Sequence, residues 1–299
     1  MRGVVSCGMA AALAYLGLSD SFDAVYGASA GALNGSFFVT GKMPLGPTIY
    51  YQDINNPQFI SLARVFGKGP IMDLNFLLEN VLTEIKPLNW EYVIGGEFPL
   101  HIVMASLTEG RSKVISKFTT KEDLFNALRA SATIPYIAGP PVQIGTDLMF
   151  DASLFEPLPY TSAIADGCTH VLVLASRPRG RYRNPPSVFE RWAIGSKLEK
   201  LSSDAATAFH DRADSYRHTI NLLTQNSEHP EAAPPYSYLV QPNSCDTEIS
   251  QLERKKEKLI LGAISGMRAV FSLFDPDARL SYFEVLTPLD RKGQLPRAR

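Results

Sequence analysis

One pentapeptide constrains this chain more than any other feature: Gly27-Ala28-Ser29-Ala30-Gly31, a G-x-S-x-G pattern. The run ahead of it, Phe22 to Tyr26, is short and apolar and reads as a buried strand. Ala30 to Val39 behind it is small, apolar and poor in breakers, and reads as a buried helix. A strand that must become a helix within so few residues needs glycine at the bend. The turn lifts the Ser29 hydroxyl off the strand's C-terminal end and over the helix amides, where negative charge is stabilised. A chain of 299 residues yields about 0.1 such pentapeptides by chance, and the strand–helix setting lowers that further. The bland alternative is a glycine-rich turn that packs a helix on a strand.

The rest of the chain repeats this alternation. Leu100 to Ala105 and His170 to Ala175 read as buried strands, and Val114 to Phe118 as a strand nearer an edge. Leu74 to Leu82 has helical spacing. Thr120 to Ser131 is a helix with Thr120 as cap and Asp123 at N3, closed by Ile134-Pro135. Met149-Phe150 leads into Asp151, and a loop holding Pro157 and Pro159 comes next. Strands separated by helices predict an α/β fold with a mainly parallel central sheet flanked by helices. Beyond about residue 180 the texture becomes helical. Apolar residues from Ile194 to Leu223 predict one long amphipathic helix or two, Tyr236 to Val240 a late strand, and Glu253 to Phe274 another helix. The expected organisation is a unit over 1–180 and a mostly helical extension over 181–299.

Twenty-nine basic against thirty acidic residues give a net charge of -1, which argues against a nucleic-acid partner. With 45% hydrophobic residues, disorder is excluded too. Cys7, Cys168 and Cys245 are widely spaced, so no disulfide or zinc framework is expected and a reducing compartment is favoured. No apolar run is long enough for a transmembrane helix. The start is abruptly apolar, from Val4 to Leu18. It reads either as a secretory leader or as a domain entered part-way through.

A serine needs a base. His101 and His170 stand at the N-terminal ends of predicted strands, the wrong side for a parallel sheet. His210 and His218 lie in the long helical segment, and His229 is the fifth. No convincing Ser-His-Asp triad emerges, although a Ser-His-Asp esterase remains one reading. A carboxylate base is the alternative, and Asp151, after Leu148-Met149-Phe150, is the candidate; its bland reading is a turn or cap residue. At its free pKa of about 3.9 it would be a weak base, so it needs desolvation or contact with Ser29.

Taken together, the segments resemble the patatin-like phospholipase family. Gly27-Ala28-Ser29-Ala30-Gly31, continued by Ala32-Leu33-Asn34, is similar to its nucleophile elbow. Leu128 to Pro135 resembles its helix end, and Phe150-Asp151-Ala152-Ser153 stands at the place of its D-G-[GA] motif. Pro157-Leu158-Pro159 resembles the P-L-P continuation of that motif. Met1-Arg2-Gly3 is similar to the tail of its G-G-G-x-[RK]-G oxyanion loop.

The resemblance implies a three-layer α/β fold and a serine acyl hydrolase of lipid esters. Ser29 would be the nucleophile and Asp151 the proton acceptor, with Arg2, Gly3 and Ala30 at the oxyanion hole. It implies no metal or organic cofactor, a lipid or phospholipid partner, peripheral membrane contact, and a cytoplasmic location. It also implies that the chain begins inside the oxyanion loop, and that Gly8 to Leu16 is a core helix rather than a leader.

Two departures favour an alternative, a catalytically impaired lipid-binding or scaffold protein. The loop's glycines are absent, and losing one oxyanion donor costs about 10²–10³ in rate. Ala152 replaces a glycine, and positive φ there would strain it by roughly 1–2 kcal/mol. Arg177, Arg179, Arg181 and Arg183 alternate in one loop, as a solvated surface or a headgroup contact. The basic stretch from Arg291 to Arg299 reads as a frayed tail.

Overall fold

The apolar N-terminal run is a helix of the core. In the computed structural model, which describes residues 1–67, 69–229 and 233–274, α1 spans Val4–Tyr15 and buries nearly every side chain to Leu13. It lies against α6 (Lys256–Phe274). The two backbones approach so closely that a Cβ on Gly266 would stand 2.0 Å from the Val5 carbonyl oxygen. Such a contact leaves room only for glycine. The basic stretch 291–299 lies outside the described residues.

The predicted strand–turn–helix is present as β1 (Val25–Ala28) and α2 (Ala30–Val39), with Ser29 between them. Helical segments come next, including the π-helical Phe76–Ile85, whose Leu77, Leu78, Val81 and Leu82 are buried. The chain then returns as β2 (Leu100–Ser106), parallel to β1. Beyond β2 the mainly parallel expectation is corrected. β3 (Arg111–Ile115) folds back antiparallel on β2, as does β5 (Asp147–Asp151), and β4 (Val142–Ile144) is antiparallel to β5. The five-stranded sheet is therefore mixed. For β3 on β2 and for β4 on β5 the reason is connection length. Gly110 and Gly145, both with positive φ, turn the chain within a few residues. Turns that short join antiparallel strands only, because a parallel pair needs a long crossover.

Helix α3 (Lys121–Ala132) carries the expected start: the Thr120 hydroxyl accepts from the Asp123 N–H, and the Asp123 carboxylate accepts from the Thr120 N–H. Such a reciprocal cap satisfies two otherwise orphaned donors. Its buried stripe, including Leu124 and Leu128, rests on β2 and β5. After α4 (Tyr160–Ala165), β6 (His170–Leu174) pairs in parallel with β7 (Tyr236–Val240), forming a separate two-stranded sheet. Between them runs α5 (Ser203–Glu228), capped by Ser202. The predicted stripe from Ile194 onward is thus divided, with Ile194 and Leu198 on shorter helical turns before the cap. Cys7, Cys168 and Cys245 are free thiols. No described helix is long and apolar enough to cross a membrane.

Candidate active site

Sheet register brings the two sequence-selected groups together. Ala28, the last residue of β1, pairs with Val103 of β2. Asp151, the last residue of β5, pairs with Met104, the next position along. Both Val103 and Met104 also pair with β3, so β3 holds one edge of β2 while β1 and β5 share the other. The two strands meet end to end on that edge. Ser29 therefore leaves β1 at the level of Asp151.

The turn at Ser29 is tight. Its φ of 55° and ψ of -125° lie outside the usual regions for an L-residue. Such a conformation costs about 1–3 kcal/mol and persists only where surroundings hold it. Ser131, fully buried at the end of α3, provides the hold. Its hydroxyl accepts from the Ser29 N–H at 2.8 Å and donates to the Val103 carbonyl at 2.6 Å. Gly27 is required by close approach, since a Cβ there would meet the Ala32 Cα at 2.4 Å. Gly31 differs: nothing stands within 4 Å of the position of its absent Cβ.

Asp151 is 1% exposed. Its Oδ1 accepts from the Ser153 N–H at 2.8 Å, while Oδ2 is buried without a hydrogen-bond partner among the described residues. Burial raises its pKa above 3.8; the Ser153 hydrogen bond, the nearby Ser29 hydroxyl and the Arg183 charge oppose the rise without cancelling it. Ser29 thus lies within interaction range of the carboxylate, yet the Ser29–Oδ2 bond is not closed in this geometry. A catalytic hydrogen bond that is open without substrate is compatible with function. A raised pKa makes Asp151 a better proton acceptor than a free aspartate. Ala152 does not have positive φ, so the strain considered for this position is absent.

The expected oxyanion residues divide. Gly3 packs on Ala30, and a Cβ on Gly3 would lie 2.4 Å from the Ala30 Cβ. The Gly3 carbonyl accepts from the Asn34 side-chain amide at 3.0 Å, and the Asn34 Oδ1 accepts from the Tyr50 hydroxyl at 2.9 Å. The Arg2 side chain turns elsewhere, donating to the Ile249 carbonyl and pairing with Glu248.

Ser29 and Asp151 open on a cavity of about 1130 Å³. Its walls include Phe37, Phe38, Leu74, Leu77 and Leu82. Small-molecule sites of about 300–1,000 Å³ with few polar groups among apolar walls are the rule; this one is large enough for an acyl chain.

The histidines do not join the carboxylate. His101 stacks on Tyr26 with ring centroids 4.2 Å apart and lies 3.6 Å from Asp166, and burial lowers its pKa. The loop arginines split by direction. Arg183 donates from Nη1 to the Ser153 carbonyl at 3.1 Å, and Arg177 pairs with Glu248, while Arg179 and Arg181 are exposed. Sequence reasoning singled out Arg183 only as one of four alternating arginines and Ser131 only within the helix end from Leu128 to Pro135, so neither was placed beside Asp151 or Ser29, and Tyr50 behind Asn34 had no signal. Each contacts the site from a distant stretch of chain.

A family model described as patatin-like phospholipase matches residues 1–164. Among curated proteins, the chain is 24% identical over 189 residues to "Uncharacterized protein YjjU" of Escherichia coli (strain K12), covering 61% of this chain and 52% of that protein. It is 31% identical over 118 residues to "1-acylglycerol-3-phosphate O-acyltransferase Pnpla3" of Mus musculus, covering 38% of this chain and 27% of that protein. The matched regions thus span about half the length of one relative and about a quarter of the other.

Proposed function

The chain belongs to the patatin-like phospholipase family, and from that premise we propose that it is a serine acyl hydrolase of lipid carboxylic esters, working through Ser29 and Asp151. Ser29 attacks the ester carbonyl while Asp151 takes its proton. The tetrahedral intermediate collapses to an acyl-enzyme as the alcohol leaves with that proton. Water, activated by Asp151, then releases the fatty acid. The helix amides beginning at Ala30 and the backbone near Gly3 stabilise the oxyanion.

The observation that supports this reading is the end-to-end meeting of β1 and β5, with the strained Ser29 at the level of the buried Asp151, whose pKa is raised, and both lining one cavity. An acyl-enzyme can also pass its acyl group to an alcohol. The acyltransferase name of the mouse relative makes transfer to a lysolipid the second reading.

The test is labelling by a fluorophosphonate together with turnover of short-chain nitrophenyl esters, with and without a lysolipid acceptor. Wild type labels and turns over, and both are lost in Ser29→Ala. Labelling unchanged in Ser29→Ala refutes the nucleophile. Liposome binding without any turnover supports the impaired scaffold instead.

A further inference from the structure

The segment just beyond Arg183 holds exposed apolar side chains that the proposed chemistry does not use. Val188 is 85% exposed, and Phe189 and Trp192 are each 72% exposed, with ring centroids 6.2 Å apart. Single exposed apolar residues are ordinary, but a contiguous aromatic pair with its neighbour marks an interaction site. The local structure holds these residues outward. Ser187 caps the turn with Glu190, Glu190 is paired to Arg212 at 3.0 Å, and Leu198 is buried.

Charge decides the kind of partner. On the same stretch of chain as the aromatics, residues 181–200, the exposed bases are Arg181, Arg191, Lys197 and Lys200. The acids of the segment are Glu190, already paired, and Glu199. Position decides the purpose. At one end Arg183 holds the Ser153 carbonyl, two residues from Asp151. At the other, the Lys197 ammonium stands 4.7 Å from the Tyr136 ring centroid, two residues from Ile134 in the cavity wall. The patch is thus bound into the same structure that walls the site.

We propose that Val188, Phe189 and Trp192, with their basic surround, form the surface by which this chain docks on an anionic lipid bilayer, the aromatics entering the interface and the bases meeting headgroups. The proposal rests on the lipid-ester reading above, and it names the face that approaches the lipid. Aromatic side chains suit the boundary between hydrocarbon and headgroups, and one basic residue near an anionic surface strengthens binding about fivefold.

Binding is measured on Ser29→Ala protein, so that lipid turnover plays no part. The probe is phosphatidylcholine vesicles with and without phosphatidylglycerol, monitored by co-sedimentation and tryptophan emission. The chain has two tryptophans; Trp90 is already buried, so a blue shift reports Trp192. The expected result is a blue shift with phosphatidylglycerol vesicles and at least about tenfold weaker binding for Phe189→Ser/Trp192→Ser. Arg191→Gln/Lys200→Gln should bind phosphatidylglycerol vesicles about 25-fold more weakly, with a smaller salt sensitivity, and unchanged binding would overturn the role of the bases. Both variants, built with Ser29 intact, should hydrolyse soluble nitrophenyl esters at the wild-type rate.

No blue shift, or equal binding by Phe189→Ser/Trp192→Ser, overturns the proposal. So does a dimer that this variant dissociates, since the patch would then face a second copy. Failure of docking with ester turnover intact removes this inference alone. Loss of ester turnover in wild type removes the catalytic reading and leaves the binding result standing.

Discussion

Replacing Ser131 by Ala tests whether the geometry of the proposed nucleophile, Ser29, is held from below. The Ser131 hydroxyl makes two buried bonds, from the Ser29 N–H and to the Val103 carbonyl. Alanine removes both and leaves a backbone donor and a backbone acceptor without that partner. A buried polar group left unsatisfied costs about 1–3 kcal/mol. Relaxation of Ser29 out of its unusual backbone conformation would recover part of that, because the strain is itself about 1–3 kcal/mol. A net loss of about 2 kcal/mol is therefore expected, or a Tm lower by roughly 3 °C at this chain length.

Relaxation would move the hydroxyl away from Asp151, and a displacement of about 1 Å costs about 100-fold in rate. Thermal melts and nitrophenyl-ester kinetics read the two effects separately. Ser131→Ala should lower kcat by about 10- to 100-fold with little change in KM. Ser131→Cys, which retains a weak donor and acceptor, should fall between. A kcat equal to wild type, with the Tm lowered, would refute the idea that Ser131 maintains the catalytic turn.

The same contacts set other outcomes. Asp151→Asn should abolish turnover yet raise the Tm at neutral pH. Because the folded pKa is raised, the fold favours the protonated carboxyl, so ionisation of Asp151 costs stability as pH rises from its unfolded value through the folded one; a lower Tm at neutral pH would contradict this. The acid limb of the rate profile should have a midpoint above the 3.8 of an ordinary aspartate. Arg183→Met should push that midpoint higher, since the Arg183 charge favours the carboxylate, and an unmoved limb would remove Arg183 from the site's electrostatics. Gly27→Ala should unfold or strongly destabilise the chain, while Gly31→Ala should fold with its Tm within a few degrees of wild type, because only the first Cβ meets backbone. Circular dichroism on the pair decides between this and a merely equivalent role for both glycines.

Much of the candidate site was legible because its signals are local. The bend at Ser29, the helix from Ala30, the Thr120 cap and the buried strands at 100 and 170 depend on residues within a few positions of one another. Local sterics and hydrogen bonds specify them wherever they lie in the fold. The sheet's mixed character was less visible. A repeat of strands and helices suggested parallel pairing; the short glycine turns near 110 and 145 turn β3 back on β2 and β5 back on β4, while the direction of β5 against β2 is set by the longer path between them. The pattern around Gly31 was legible as a motif, but its tolerance for a side chain depends on the open space beside it.

The sequence by itself determined that a serine would stand on a strand-to-helix turn, and it nominated Asp151 by residue type and by family resemblance. Tertiary structure decided that the two meet. That meeting depends on β1 and β5 sharing one edge of β2 in adjacent registers, a long-range arrangement that neither segment encodes alone. It also decided which of four alternating arginines turns inward beside the carboxylate, and that Ser131, 102 residues from Ser29 in the chain, holds the turn. The physical reason is range. A turn needs only its own backbone and immediate neighbours, whereas a buried carboxylate needs distant segments to exclude water from it and to bring a hydroxyl to its side.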